Sequence, residues 1–219
     1  MSEENLYTFE NETYRKTYWH TCSHILAQAV KRLYPEVKLA IGPSIDEGWY
    51  YDMDAPFAFT PEHLEQIEAE MRKICKEKLK LERFELPRAE ALQFMEEKAE
   101  PFKVELINDL PEDAAISFYK QGEFTDLCAG PHLDSTGRIK GNALKLTACN
   151  AAYWRGDSSR ETLQRIYGIA FPKKGKPGPS SRSMNRPSSL PRRRWSRFLA
   201  SSMRARYSSS SSFLGKATP

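Results

Sequence analysis

Two short motifs place side chains that transfer protons or bind metals at a regular spacing. The first, HTCSH, carries His20 and His24; the second, CAGPH, carries Cys128 and His132 and follows Asp126. Three imidazoles and one thiolate match a tetrahedral zinc sphere of the structural kind. Without a metal, the same groups can orient a water molecule and donate hydrogen bonds to an ester under attack. The spacing alone leaves both interpretations open.

The first motif lies within a predicted helix over residues 17–34, which Pro35 ends. The apolar residues that recur at helical spacing are Trp19, Cys22, Leu26, Val30 and Leu33. Residues i and i+4 share a helix face, so His20 and His24 point the same way, almost opposite this apolar stripe. The alternative is a pair of solvated surface histidines.

The remainder of the sequence up to residue 172 predicts an α+β fold, mostly antiparallel sheet flanked by helices. We expect strands over residues 37–41 and 48–54, the second alternating as a half-buried strand does. A helical insert is expected at about 60–100, made of a helix from Pro61 to about Lys80, a strand at 81–86 and a helix at 88–98. Downstream, strands are predicted over 102–108, 115–119, 123–127, 142–148 and 164–171.

Charge divides the chain into two parts. Residues 173–219 contain twelve Lys or Arg and no acid, whereas residues 1–172 hold 21 basic and 29 acidic residues, a balance of −8. The basic part is rich in serine and proline and cannot bury enough apolar surface to fold, so we predict a disordered tail after a domain over 1–172. The abrupt change of composition suggests the hypothesis that the tail is out of frame.

Composition also excludes some classes of protein. No stretch approaches the ~20 consecutive apolar residues of a membrane span, so no membrane partner is expected. The first twenty residues lack the apolar block of a secretory signal. Four cysteines in a chain of 219 residues do not form a disulfide scaffold, which favours a reducing, cytoplasmic location.

Further motifs lie between and after the two histidine motifs. In order they read LAIGP, GWYYD, YWRGD and LQRIYG, the first beginning at Leu39 and the last at Leu163. Together with the histidine motifs, this set resembles the editing domain of threonyl-tRNA synthetases, a module shared with alanyl-tRNA synthetases. The resemblance runs from about Leu6 to Phe171. It implies hydrolysis of seryl-tRNA formed in error on the threonine tRNA, because one methyl group gives only ~1–3 kcal/mol of discrimination in the first selection step.

The resemblance also implies roles for individual residues. The two histidine motifs would supply His20, His24, Cys128 and His132 to the catalytic site, and these four would be the metal ligands only if zinc is bound. Asp126 would bind the seryl ammonium or orient a neighbour.

Three further residues take their roles from the family. Lys103 would help to place the attacking water, against the alternative of a solvated strand lysine. Tyr51 and Gly42 would bind substrate, with a core tyrosine as the competing interpretation of Tyr51. Water positioned by Lys103 and the histidines is preferred over zinc-assisted hydrolysis, so no cofactor is required and zinc remains the alternative.

Some properties of complete synthetases are not expected from this chain. No ATP site is predicted, and with it no threonylation. The partners implied are the 3′ aminoacyl end of tRNA and a full-length synthetase. The acidic body predicts weak tRNA binding, since phosphate contacts supply most of such affinity. The alternatives to a deacylase are a non-catalytic module that binds aminoacyl-tRNA or a synthetase, and an inactive fragment of a disrupted gene.

Overall fold

The computed structural model describes residues 8–172 and combines four helices with two antiparallel sheets. The helices are α1 (Glu12–Leu33), α2 (Pro61–Glu77), α3 (Arg88–Glu97) and α4 (Pro101–Asn108). Asn11 caps α1 by accepting a hydrogen bond from the Tyr14 amide, and Thr60 with Pro61 begins α2 as the sequence predicts. The predicted α+β class is confirmed. Residues 173–219, where the tail is predicted, lie outside the described residues.

Five strands form the larger sheet in the order β1-β3-β8-β7, with β2 paired to β3, and three form a smaller sheet in the order β4-β5-β6. The strands of the larger sheet are β1 (Lys38–Leu39), β2 (Ser44–Ile45), β3 (Gly48–Asp54), β7 (Leu144–Tyr153) and β8 (Thr162–Ala170). Those of the smaller sheet are β4 (Leu81–Leu86), β5 (Ile116–Gln121) and β6 (Phe124–Leu127). Every strand pairing is antiparallel, as predicted.

Two apolar clusters hold these layers together. In the first, α1 and α2 pack on one face of the larger sheet, with Trp49, Tyr51 and Ile166 fully buried beneath them. In the second, α3 and α4 pack against the smaller sheet and against Trp154. The candidate site lies where the two clusters meet, because β3 and α1 belong to the first while α4 belongs to the second.

The prediction of a strand over 102–108 is wrong, since these residues form α4. Phe102, Val104 and Leu106 alternate with polar residues, which imitates a strand. Pro101 occupies the first turn of a helix instead, and the buried positions Phe102 and Leu106 are four residues apart, on one helix face.

Two carboxylates anchor helix α4, one at its start and one within it. At its start, Glu100 accepts a hydrogen bond from the Leu39 amide at 2.7 Å and pairs with Lys31 at 2.9 Å. Within it, Glu105 accepts hydrogen bonds from Trp154 at 3.1 Å and from Arg160 at 2.7 and 2.8 Å. These anchors join α4 to β1 and to the loop between β7 and β8, so the helix is fixed relative to the larger sheet.

Two expectations about burial also need correction. Strand β3 is not half-buried as expected: Tyr50 and Asp52, which alternate with Trp49, Tyr51 and Met53, are buried as well, and Asp52 forms a bidentate pair with Arg165. Helix α1 has no solvated face over residues 21–30, because α2, both sheets and the segment after β6 pack around it. Among residues 8–172, no helix combines the length and the apolar character needed to cross a membrane.

Candidate active site

The two histidine motifs meet at one point in the structure. The ligand atoms of His20, His24, Cys128 and His132 all lie within 4.8 Å of one another. Helix α1 supplies the first two, and the turn after β6, in which Gly130 has a φ of 74°, supplies the others. The interpretation of His20 and His24 as solvated surface residues is therefore wrong, since His24 is only 3% exposed and His20 half-buried.

The Cys128 thiol is the centre of the cluster. Its Sγ lies 3.4 Å from Nε2 of His20 and 3.2 Å from Nε2 of His132, and the Gly130 amide donates a hydrogen bond to it at 3.2 Å. The ring of His132 lies between its neighbours, with centroids 4.1 Å from those of both His20 and His24, and is tilted by 32° and 57° to them. Because His20 and His132 are only half-buried, the cluster is open to solvent on their side.

Behind His24 lies a buried polar group built on Asp126. One carboxylate oxygen of Asp126 is 2.6 Å from Lys103 Nζ, and the other accepts a hydrogen bond from the Tyr51 hydroxyl at 2.6 Å. Lys103 also donates to the Tyr51 oxygen at 3.0 Å, and His24 Nε2 lies 3.7 Å from Asp126 Oδ2. Lys103 is thus a buried helical residue, so its interpretation as a solvated strand lysine is wrong.

Burial and charge shift the proton affinities of these groups. Burial lowers the pKa of His24 to about 4, against the opposing effect of the Asp126 carboxylate. Removal from bulk water, with the neighbouring imidazoles of His24 and His20, holds the pKa of His132 well below its ordinary value. For Asp126, burial alone would raise the pKa, but Lys103 and His24 bring it below the ordinary value. The buried imidazoles are therefore neutral near pH 7, while Asp126 is charged.

Gly42 and Tyr51 are in direct contact. A Cβ atom at Gly42 would lie 2.2 Å from Cδ2 of Tyr51, so glycine lets the backbone approach the ring. Its carbonyl accepts a hydrogen bond from Ser23 of α1 at 2.6 Å. Burial raises the pKa of the Tyr51 hydroxyl well above its ordinary value, which keeps it a neutral donor to Asp126. Tyr51 also belongs to the apolar core, so the competing core interpretation holds beside its polar contacts.

The cluster has a donor set that suits zinc. In a tetrahedral zinc sphere, bond lengths of ~2.1 Å to nitrogen and ~2.3 Å to sulfur separate neighbouring N and S ligands by about 3.6 Å. The two N–S separations here, 3.4 and 3.2 Å, are close to that value. Nδ1 of His24 is buried without a hydrogen-bond partner in the protein, as expected of a metal-ligand atom. The four residues therefore fit zinc as well as a metal-free cluster.

Two residues that contact the cluster were not predicted from the sequence. Tyr119 of β5 packs its ring 4.5 Å from that of His132, and the Thr21 hydroxyl lies 3.3 Å from Nδ1 of His132. Thr21 stands beside His20 in the first motif, but a threonine between a histidine and a cysteine carries no signal of its own. Its role depends on the turn of residues 130–133, which only the folded chain brings against α1.

Comparison with known proteins identifies the region that carries the second motif. Residues 116–167 match the model of the family described as "Threonyl and Alanyl tRNA synthetase second additional domain". This stretch contains Asp126, Cys128 and His132, whereas His20, His24 and Lys103 precede it.

Curated relatives extend the similarity over most of the chain. It is 68% identical over 167 residues to the threonine–tRNA ligase of Clostridium kluyveri, covering 76% of this chain and 26% of that protein. It is 65% identical over 173 residues to that of Clostridium tetani, covering 79% and 27%. The chain thus spans about a quarter of the length of these relatives. It carries a second additional domain of the threonyl and alanyl tRNA synthetase type and is homologous to threonine–tRNA ligases over most of its length.

Proposed function

We propose that this chain hydrolyses the ester of a mischarged aminoacyl-tRNA, with seryl-tRNA for threonine as its substrate. The observation that carries the proposal is the convergence of His20, His24, Cys128 and His132 at one solvent-reachable point. A neutral imidazole has an unprotonated ring nitrogen that can accept a proton from a water attacking the ester carbonyl. The identity to threonine–tRNA ligases supports an aminoacylated tRNA end as the partner.

Each polar group has a distinct part in this proposal. His20 and His132 face solvent and accept a proton from the attacking water. The oxygens of Asp126 are already engaged by Lys103 and Tyr51 in a buried setting, which supports orientation of neighbours rather than contact with the seryl ammonium. Lys103, held by Asp126 at 2.6 Å and by the Tyr51 hydroxyl at 3.0 Å, helps to place the attacking water, as the resemblance implies.

Zinc has a defined place if it is present. His20, His24, Cys128 and His132 would hold it, and when bound it would supply a Lewis acid that polarises the ester carbonyl. Four protein ligands match the closed, structural pattern of zinc sites better than the open catalytic one. We therefore favour hydrolysis by the side chains themselves, with no cofactor. Metal analysis of the purified chain separates the two mechanisms.

The test follows ester loss from seryl-tRNA and threonyl-tRNA incubated with the full chain. We expect faster loss of the seryl ester, and loss of this activity in His20→Ala and Cys128→Ala. His63→Ala and Cys149→Ala are matched controls, because both residues lie outside the cluster and should leave the rate unchanged. Seryl-tRNA binding without turnover would favour the non-catalytic module, and neither binding nor turnover would favour an inactive fragment.

A further inference from the structure

The Thr21 hydroxyl has three hydrogen-bonding neighbours and a single hydrogen atom to donate. It is 2.9 Å from the Thr17 carbonyl, which can only accept, and it receives the Leu133 amide at 3.0 Å. The third neighbour is Nδ1 of His132 at 3.3 Å. With its hydrogen committed to Thr17 on the same helix, the hydroxyl oxygen has only acceptor capacity left for His132.

We propose that Thr21 is a positioning residue that holds His132 in the tautomer protonated on Nδ1. The Thr21 oxygen accepts the Nδ1–H, so the electron pair of Nε2 points at Cys128 Sγ, 3.2 Å away. The consequence of this tautomer for catalysis rests on the proposed function, whereas the assignment of the tautomer does not.

The other solvent-facing imidazole is arranged in the same way, which supports this assignment. Nδ1 of His20 lies 3.2 Å from the carbonyl oxygen of Pro131, an obligatory acceptor, so this nitrogen carries the hydrogen. When the His20 ring is neutral, its Nε2 then also presents an electron pair toward Cys128, at 3.4 Å. Two rings thus direct lone pairs at one thiol, which has one proton to give.

The tautomer matters because a neutral imidazole has one ring nitrogen that carries a hydrogen and one that accepts. With the opposite tautomer, Nε2 would donate and could not take a proton from a water or from the thiol. A hydroxyl at position 21 therefore decides whether His132 can act as a base.

The test reads the tautomer directly by NMR of the full chain, labelled with ¹⁵N-histidine and dialysed against a chelator. The chain has four histidines, and the signals missing from a His132→Gln sample identify His132. We expect the hydrogen on Nδ1 in the unmodified chain, a shift toward the Nε2–H form in Thr21→Val, and retention of Nδ1–H in Thr21→Ser. Hydrolysis of seryl-tRNA should show a fall in kcat of about tenfold for Thr21→Val with little change in KM, as loss of about one net hydrogen bond gives. Thr21→Ser should restore kcat.

Thr136→Val is the matched control. The Thr136 hydroxyl also donates to a helix carbonyl, that of Ile74 at 2.9 Å, and accepts a backbone amide, that of Leu79 at 2.9 Å, but no histidine contacts it. The Thr136→Val variant should therefore leave the NMR signals of His132 unchanged.

A hydrogen on Nε2 of His132 in the unmodified chain overturns the proposal without any variant, even if Thr21→Val does not fold. An unchanged spectrum in folded Thr21→Val also overturns it. If the unmodified chain shows the Nδ1–H form and responds to Thr21→Val but hydrolyses no ester, the positioning role is supported and the proposed function fails.

Discussion

The Lys103→Met substitution removes an ammonium that lies 2.6 Å from Asp126, in a pair whose side chains are both 3% exposed. The substitution leaves the carboxylate buried and without its cation, which costs about 3–5 kcal/mol of unfolding free energy. Tyr51 still donates to the other carboxylate oxygen at 2.6 Å. We therefore expect a loss near the lower end, about 3 kcal/mol at pH 7.

The pH dependence of this loss has a definite sign. In the unmodified chain the pKa of Asp126 is below its ordinary value, so the pair stabilises the fold above that ordinary value and less as the pH falls. In Lys103→Met, burial is no longer opposed by the ammonium, and the pKa of Asp126 should rise. The stability deficit of the variant should then shrink as the pH is lowered and the carboxyl takes up a proton.

Urea unfolding of the two proteins at pH 7 and at lower pH measures both effects. The double variant Lys103→Met/Asp126→Asn should lose less than the sum of the single losses, because no unpaired charge remains. Lys145→Met is the matched control: Lys145 also pairs with a carboxylate, Glu68 at 3.2 Å, but its side chain is 63% exposed, and its loss should cost less than about 1 kcal/mol. Equal costs for Lys103→Met and Lys145→Met would refute the reasoning.

Three further predictions concern the site and its surroundings. Because the pKa of His24 is lowered to about 4, the unfolded state binds more protons than the folded state below about pH 6.5. The free energy of unfolding should therefore fall by up to about 3 kcal/mol as the pH drops from 6.5 to 4. Urea titrations of His24→Gln should show a flatter dependence on pH. Gly42→Ala would set a Cβ 2.2 Å from the ring of Tyr51, so we expect about 1–3 kcal/mol of destabilisation and displaced tyrosine signals in NMR spectra; unchanged signals would contradict the contact. Residues 1–172, with a balance of −8, should bind tRNA weakly in a filter assay, and tight, salt-resistant binding would disprove this.

The four residues of the histidine and cysteine cluster could be predicted from the sequence, because each of the two motifs is a local pattern. Two residues four apart on a helix share a face, and a Gly-Pro turn brings Cys128 and His132 together, so each half could be predicted alone. Their meeting in space is a long-range property, expected from the resemblance and confirmed by the coordinates. The boundaries of β3 and β4 also agree with prediction, whereas α1 begins at Glu12 rather than at residue 17 and β7 extends to Tyr153 rather than to residue 148.

The errors arose where tertiary contacts override the local pattern. Residues 102–108 alternate like a strand, yet the Leu39 amide and Trp154 fasten them as a helix through Glu100 and Glu105. Lys103 is buried because it has Asp126 as a partner, which no spacing reveals. Thr21 could not be found for the same reason: the group that its hydroxyl contacts lies 111 residues away along the chain.

The central claim is that four side chains from two distant segments form one ester-hydrolysing centre. A single-turnover assay with the full chain and limiting seryl-tRNA tests it most directly, with threonyl-tRNA in a parallel reaction. We predict a first-order loss of the seryl ester that rises with protein concentration, exceeds the loss of the threonyl ester, and disappears in His20→Ala. A rate equal to that in buffer, or an unchanged rate in His20→Ala, would contradict the claim.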